Sequence, residues 1–188
     1  GPLAAGTTLR SFGPADRLTE LDFEFPLDAP ASTLADVARL LAEHLPPGDP
    51  LADYPAALAG PALSRQRLHG FLTGSIDAVL RLPDGRFLIV DYKTNRLDSP
   101  GAPPEGLTVG HYTRAAMARA MIASHYPLQA LLYAVALHRF LRGRLAGYEP
   151  ERHLAGAAYL FVRGMAGPGT PVVDGHPTCF FNDTATTE

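Results

Sequence analysis

Lysine, cysteine and tryptophan are almost missing from this chain, and each shortage removes a class of function. Its 188 residues include one cysteine, Cys179, and no tryptophan. A lone cysteine excludes a disulfide framework, a cysteine-type zinc site and a cysteine-ligated iron–sulfur cluster within these residues. Of the sixteen Lys and Arg, only Lys93 is a lysine. It stands between Tyr92 and Thr94, not in the Gly-Lys-Ser or Gly-Lys-Thr of a phosphate-binding loop, so no Walker-type ATPase is encoded. The abundance of Ala, Gly, Pro and Arg suggests a GC-rich genome, where a retained lysine invites a functional reading. Excess positive charge is also lacking: nineteen Asp and Glu leave a net charge of -3. That excludes binding driven by a basic surface as a whole and leaves room for a local cationic groove. No apolar run is long enough to span a bilayer, and the start lacks the basic-then-apolar pattern of a secretory leader. The expectation is a cytoplasmic domain with no membrane partner.

What remains is apolar enough to fold: 46% hydrophobic and 19% charged residues suit a single ordinary domain. Glu20-Leu21-Asp22-Phe23-Glu24-Phe25 alternates as a short strand that Pro26 stops. Ser32 or Thr33 caps a helix over 34–45 with Leu34, Val37, Leu40 and Leu41 as its stripe, ended by Pro46-Pro47-Gly48. A connector over 49–69 carries a short helix around Tyr54–Leu58. Phe71 to Leu82, the turn Pro83-Asp84-Gly85 and Arg86 to Lys93 form a β-hairpin. A loop over 97–109 leads to two helices, 112–123 and 126–146, broken near Ser124-His125. Ala157 to Val162 reads as a buried strand. The order predicts an α/β domain, a central sheet covered by helices, over residues 1–181. Residues 182–188 turn abruptly to Thr and Asn, resemble translated adapter sequence, and are set aside as a non-native tail. Gly1-Pro2 suggests a tag remnant or a cut inside a longer protein.

The hairpin carries the chemistry. With Pro83-Asp84-Gly85 as the loop, Leu82 pairs with Arg86, and the same register places Asp77 opposite Asp91, their Cβ atoms about 5 Å apart on one face. Lys93, two residues on, projects from that face too. Facing carboxylates repel unless a divalent cation sits between them, and Mg²⁺ or Mn²⁺ beside a lysine suits phosphodiester hydrolysis. A solvated hairpin with a cross-strand Asp–Lys ion pair explains the same residues.

Ile76-Asp77 followed by Asp91-Tyr92-Lys93 resembles the split motif of the PD-(D/E)xK nuclease superfamily. Gly74-Ser75-Ile76-Asp77 through Val90-Asp91-Tyr92-Lys93-Thr94-Asn95 is more closely similar to the nuclease domains of the RecB family of helicase–nucleases. The likeness extends to Glu20-Leu21-Asp22-Phe23, Ala115-Ala116-Met117, Tyr126-Pro127-Leu128-Gln129, Leu132 to Arg139 and Tyr159 to Gly164. It implies a restriction-endonuclease-like core with a mixed central sheet. It implies Asp77, Asp91 and the Tyr92 carbonyl as ligands of Mg²⁺, with Mn²⁺ as a substitute, Lys93 as the catalytic lysine and Glu20 as an additional acidic group. Gln129 and Tyr133 match a Gln-x-x-x-Tyr motif and are expected to position DNA, sharing a helix face with Tyr126 while Leu128, Leu131, Leu132 and Val135 form the adjoining core stripe. The implied activity is that of an exodeoxyribonuclease on single strands from unwound duplex, in double-strand-break repair, with RecC, RecD and RecA as partners. The family also uses a histidine upstream of the Glu20 strand, and none stands there, so the chain alone is expected to bind metal poorly. Two alternatives stay open: a catalytically incompetent interaction domain, and an AddA-type nuclease domain.

Overall fold

A computed structural model describes residues 8–97 and 106–183. It shows an α/β architecture built on a five-stranded mixed sheet in the order β1-β2-β3-β4-β7. The strands are β1 (Arg17–Thr33), β2 (Arg67–Arg81), β3 (Phe87–Lys93), β4 (Leu154–Phe161) and β7 (Phe180–Asp183), with a small hairpin of β5 (Val172–Val173) and β6 (His176–Pro177). The helices are α1 (Leu34–His44), α2 (Tyr54–Leu58), α3 (Arg114–Ala123), α4 (Tyr126–Arg142) and α5 (Pro150–His153). Only β3 and β4 run parallel, and the helical crossover between them lays α3 and α4 on the sheet. No single helix among the described residues is long and apolar enough to cross a membrane.

Alternation along the central strands divides the core. Ile89, Ala157, Tyr159 and Phe161 face the helices, where Met117, Met121, Tyr133 and Leu137 meet them. Leu88, Val90, Ala158 and Leu160 face the opposite side, covered by Phe12 and Leu9. The β2–β3 turn closes as the sequence predicts: Leu82 N–H donates to Arg86 O at 2.7 Å, and Gly85 takes a φ of +86° that only glycine adopts readily. Below it, Ala78 pairs with Val90 and Leu80 with Leu88.

Several boundaries differ from the sequence expectation. β1 passes straight through Pro26, which faces Phe71; β1 is an edge strand, where a missing N–H interrupts no ladder. β2 begins at Arg67 inside the expected connector, because β1 continues beside it. β4 begins at Leu154, before the expected Ala157, and α4 ends at Arg142, where Gly143 follows. The core stripe of α4 is Ala130, Tyr133, Ala136, Leu137 and Leu141, whereas Leu131 is exposed. The helix is rolled so that Tyr133 meets the sheet. In α1, Ala38 is buried and Leu40 is exposed. Asn182 and Asp183, set apart by composition, continue β7. Residues 98–105 of the expected loop and 184–188 of the tail lie outside the described residues.

Candidate active site

The ladder between β2 and β3 stops at Ala78–Val90, one step short of the two aspartates. The strands part there, and the Asp77 carboxylate bridges the opening by accepting the Tyr92 backbone N–H at 2.8 Å. The hairpin register is as expected, but Asp77 and Asp91 do not form a ladder pair. A side chain replaces the hydrogen bonds that the diverging backbones no longer make.

The divergence coincides with a distortion across β1 and β2. Leu18 and Val79 face α4 on one side of it, and Leu21 and Ile76 join the helix-side core on the other. That spacing breaks the two-residue period of a strand. Register is unchanged across it, with Thr19 opposite Ala78 and Leu21 opposite Ile76, so both strands shift phase together. Glu20 sits at this point with φ +54°, a left-handed conformation that costs a residue other than glycine about 1–2 kcal/mol. It is exposed and stands across from Asp77.

Asp91 and Lys93 alternate with Ile89 and so lie on the helix side of β3, under the first turns of α4. Both are buried, at 3% and 7% exposure, and Lys93 Nζ lies 2.7 Å from Asp91 Oδ2. The contact is an ion pair, and among the described residues Asp91 Oδ2 has no hydrogen-bond partner. The ammonium donates to Gln129 Oε1 at 2.7 Å, and Gln129 Nε2 donates in turn to Tyr133 Oη at 2.9 Å. Helical spacing of four puts Gln129 and Tyr133 side by side. Burial pushes the Asp91 carboxyl above the ordinary carboxylate range; the Lys93 charge opposes that rise and the Asp77 charge adds to it. The Tyr133 phenol is also raised, by burial first and then by the charge of Asp91.

No family model matches this chain. It is 55% identical over 97% of its length to the RecBCD enzyme subunit RecB of Mycolicibacterium smegmatis. It is 53% identical over 96% of its length to that of Mycobacterium tuberculosis strain H37Rv, and 37% identical over 85% to that of Escherichia coli strain K12. The chain belongs to the RecB family. It spans 17%, 16% and 12% of the lengths of these three relatives. The sheet and its flanking helices agree with a restriction-endonuclease-like core for this part of a RecB-type sequence.

Within this RecB-family chain, the expected residues divide into two groups. Asp91, Lys93, Gln129 and Tyr133 meet between β3 and α4, Asp77 stands at the edge of that cluster on the Tyr92 N–H, and the Tyr92 side chain is exposed. Glu20 is held at the strand distortion, outside the buried cluster. Among the described residues no group of three or more His, Cys, Asp and Glu is gathered as metal ligands. Three more residues line the cluster, of which the sequence placed Tyr126 on the functional face and gave Tyr159 and Asn95 no role. The Tyr126 ring lies under Lys93 Nζ, 3.7 Å from its centroid, Tyr159 lies at 5.4 Å, and Asn95 accepts the Tyr126 hydroxyl at 3.0 Å. The available signal was the spacing of Tyr126, Gln129 and Tyr133 along one helix face.

Proposed function

We propose that the chain is the nuclease domain of a RecB-type subunit and hydrolyses phosphodiester bonds of single-stranded DNA with Mg²⁺, for which Mn²⁺ substitutes. The observation that carries this reading is a buried lysine ammonium 2.7 Å from one of two carboxylates where the sheet opens. A purely structural hairpin gains little from burying an ion pair, whose desolvation offsets its attraction.

The donors suit a hard cation. Asp91 Oδ2 lacks a hydrogen bond, and Asp77 uses one carboxylate oxygen on Tyr92 N–H. Asp77, Asp91 and the Tyr92 carbonyl would hold the ion by oxygen alone, and Mg²⁺ commonly keeps water and phosphate in the rest of its shell. Bound there, it would offset phosphate charge and make water more acidic. Lys93 supplies a fixed positive charge where negative charge develops on the phosphoryl oxygens. Gln129 and Tyr133 hold Lys93 in place, and Asp77 locks the parted strands. Glu20 is the outer acidic group beside Asp77. By the same reading RecC and RecD are partner subunits and RecA a further partner, in double-strand-break repair and DNA degradation.

Incubation of the chain, extended upstream to include the histidine that the resemblance implies, with linear single-stranded DNA is the test. Cutting is expected with Mg²⁺ and not with EDTA, and Asp77→Asn, Asp91→Asn and Lys93→Met should each slow it about 10²-fold or more. An extended form that folds, binds the strand and leaves it intact would refute catalysis and favour an interaction domain.

A further inference from the structure

Lys93 is held by more than its two polar partners. Its Nζ sits 3.7 Å from the centroid of the Tyr126 ring, and the Tyr159 ring stacks on Tyr126 at 6.2 Å and 14°. The Tyr126 ring is fixed at both ends. Its hydroxyl donates to Asn95 Oδ1 at 3.0 Å, and its backbone carbonyl accepts the Tyr159 hydroxyl at 3.1 Å. Asn95 is anchored in turn, its backbone carbonyl accepting the Tyr112 hydroxyl at 3.1 Å. Asn95 stands two residues beyond Lys93, so the segment that leaves β3 at the lysine carries the group that orients the ring beneath it.

We infer that Tyr126, oriented by Asn95, is a positioning residue that seats the Lys93 ammonium for phosphoryl transfer. The catalytic part of this inference rests on the nuclease reading; the seat rests on geometry alone. A ring face attracts the whole ammonium charge and favours no single N–H direction. Gln129, by contrast, takes one N–H in a particular direction. The ring therefore keeps the head in place while its remaining N–H groups turn toward a phosphate oxygen. In the low-dielectric interior an unseated ammonium would swing toward solvent along its flexible stem.

Lys93 is the only lysine, so isotopic labelling of lysine gives one side-chain ε-methylene resonance, read without DNA or metal. Above the Tyr126 ring it is expected upfield of free lysine. Tyr126→Leu should lose most of that shift, whereas Tyr126→Phe and Asn95→Ala, which break the same hydrogen bond from either end and keep the ring, should each reduce it in part. With Mg²⁺ and single-stranded DNA, Tyr126→Leu should lower kcat about tenfold at unchanged KM, and Tyr126→Phe, which keeps the ring face but not its anchor, should restore part of the loss. A Lys93 resonance unmoved in Asn95→Ala and Tyr126→Leu would overturn the seat, and if the Leu variant does not fold, Asn95→Ala decides it. A lost shift with kcat intact would overturn the positioning role. Failure of the upstream-extended wild-type form to cut DNA would overturn the nuclease reading instead, and the spectrum would then decide the seat by itself.

Discussion

Lys93→Met keeps the lysine's length and apolar stem but leaves Asp91 buried without its cation. Removing one partner of a buried ion pair costs about 3–5 kcal/mol when the remaining charge stays charged. Asp91 has a second route, because it can take a proton. With an ordinary Asp value of about 3.9, protonation at pH 7 costs at most about 4 kcal/mol, and at pH 5 only about 1.5 kcal/mol, at about 1.4 kcal/mol per pH unit. The loss therefore has a ceiling that falls with pH. The sign follows from the raised carboxyl. Between the ordinary value of 3.8 and the raised one, the folded chain holds more protons than the unfolded chain, so stability is lost as pH rises through that window. Removing Lys93 takes away the opposing charge, raises the carboxyl further and widens the window. Urea unfolding in EDTA at pH 5, 6 and 7 should show the Lys93→Met deficit growing with pH. At pH 7 it should approach the ceiling, a Tm drop of about 8–16 °C for a domain of this size. Adding Asp91→Asn should recover most of it and flatten the pH dependence. An equal deficit at pH 5 and pH 7, or a double variant no more stable than Lys93→Met, would refute this reasoning.

Other perturbations test the packing around the site. A Cβ at Gly164 would lie 2.6 Å from Tyr112 Cγ, and Tyr112 is buried, so Gly164→Ala should cost about 1–3 kcal/mol by overpacking. Gly13→Ala, with nothing within 4 Å of the added Cβ, is the control, and equal melting temperatures for the two would contradict the close contact. Because Tyr112 anchors Asn95, Gly164→Ala should also move the Lys93 resonance. Burial pushes the Cys179 thiol up, which leaves less thiolate to react. Aromatic disulfide reagent at pH 8 should therefore label Cys179 at least about a hundredfold more slowly in the native chain than in urea. Rapid native labelling would mean that the segment leading into β7 opens freely.

The hairpin was legible because its signals are local. Gly85 supplies the positive φ, the turn fixes the register, and alternation from Phe87 to Val90 buries both faces. The meeting of Lys93 with Gln129 was partly legible, since residue types and helical spacing marked each side as functional. What joined them was a tertiary contact between β3 and α4. Three features were hidden for physical reasons. Pro26 reads as a strand end unless the strand is known to be an edge. Glu20 carries no sign of its left-handed backbone, because the surrounding strands, not its own propensity, impose that conformation. Helical spacing put Tyr126 on the face of Gln129 and Tyr133, but its stacking with Tyr159 beneath the ammonium is a tertiary contact that spacing cannot show.

Hydrolysis and DNA binding are separated most directly by measuring both on Lys93→Met with Mg²⁺ present: single-turnover cleavage of a linear single strand, and the Kd for the same strand. A charge acting in the transition state should, on removal, slow cleavage by about 10²-fold or more while Kd changes little. A variant that cuts at the wild-type rate, or whose whole deficit is in Kd, would contradict the assignment of Lys93 as the catalytic lysine.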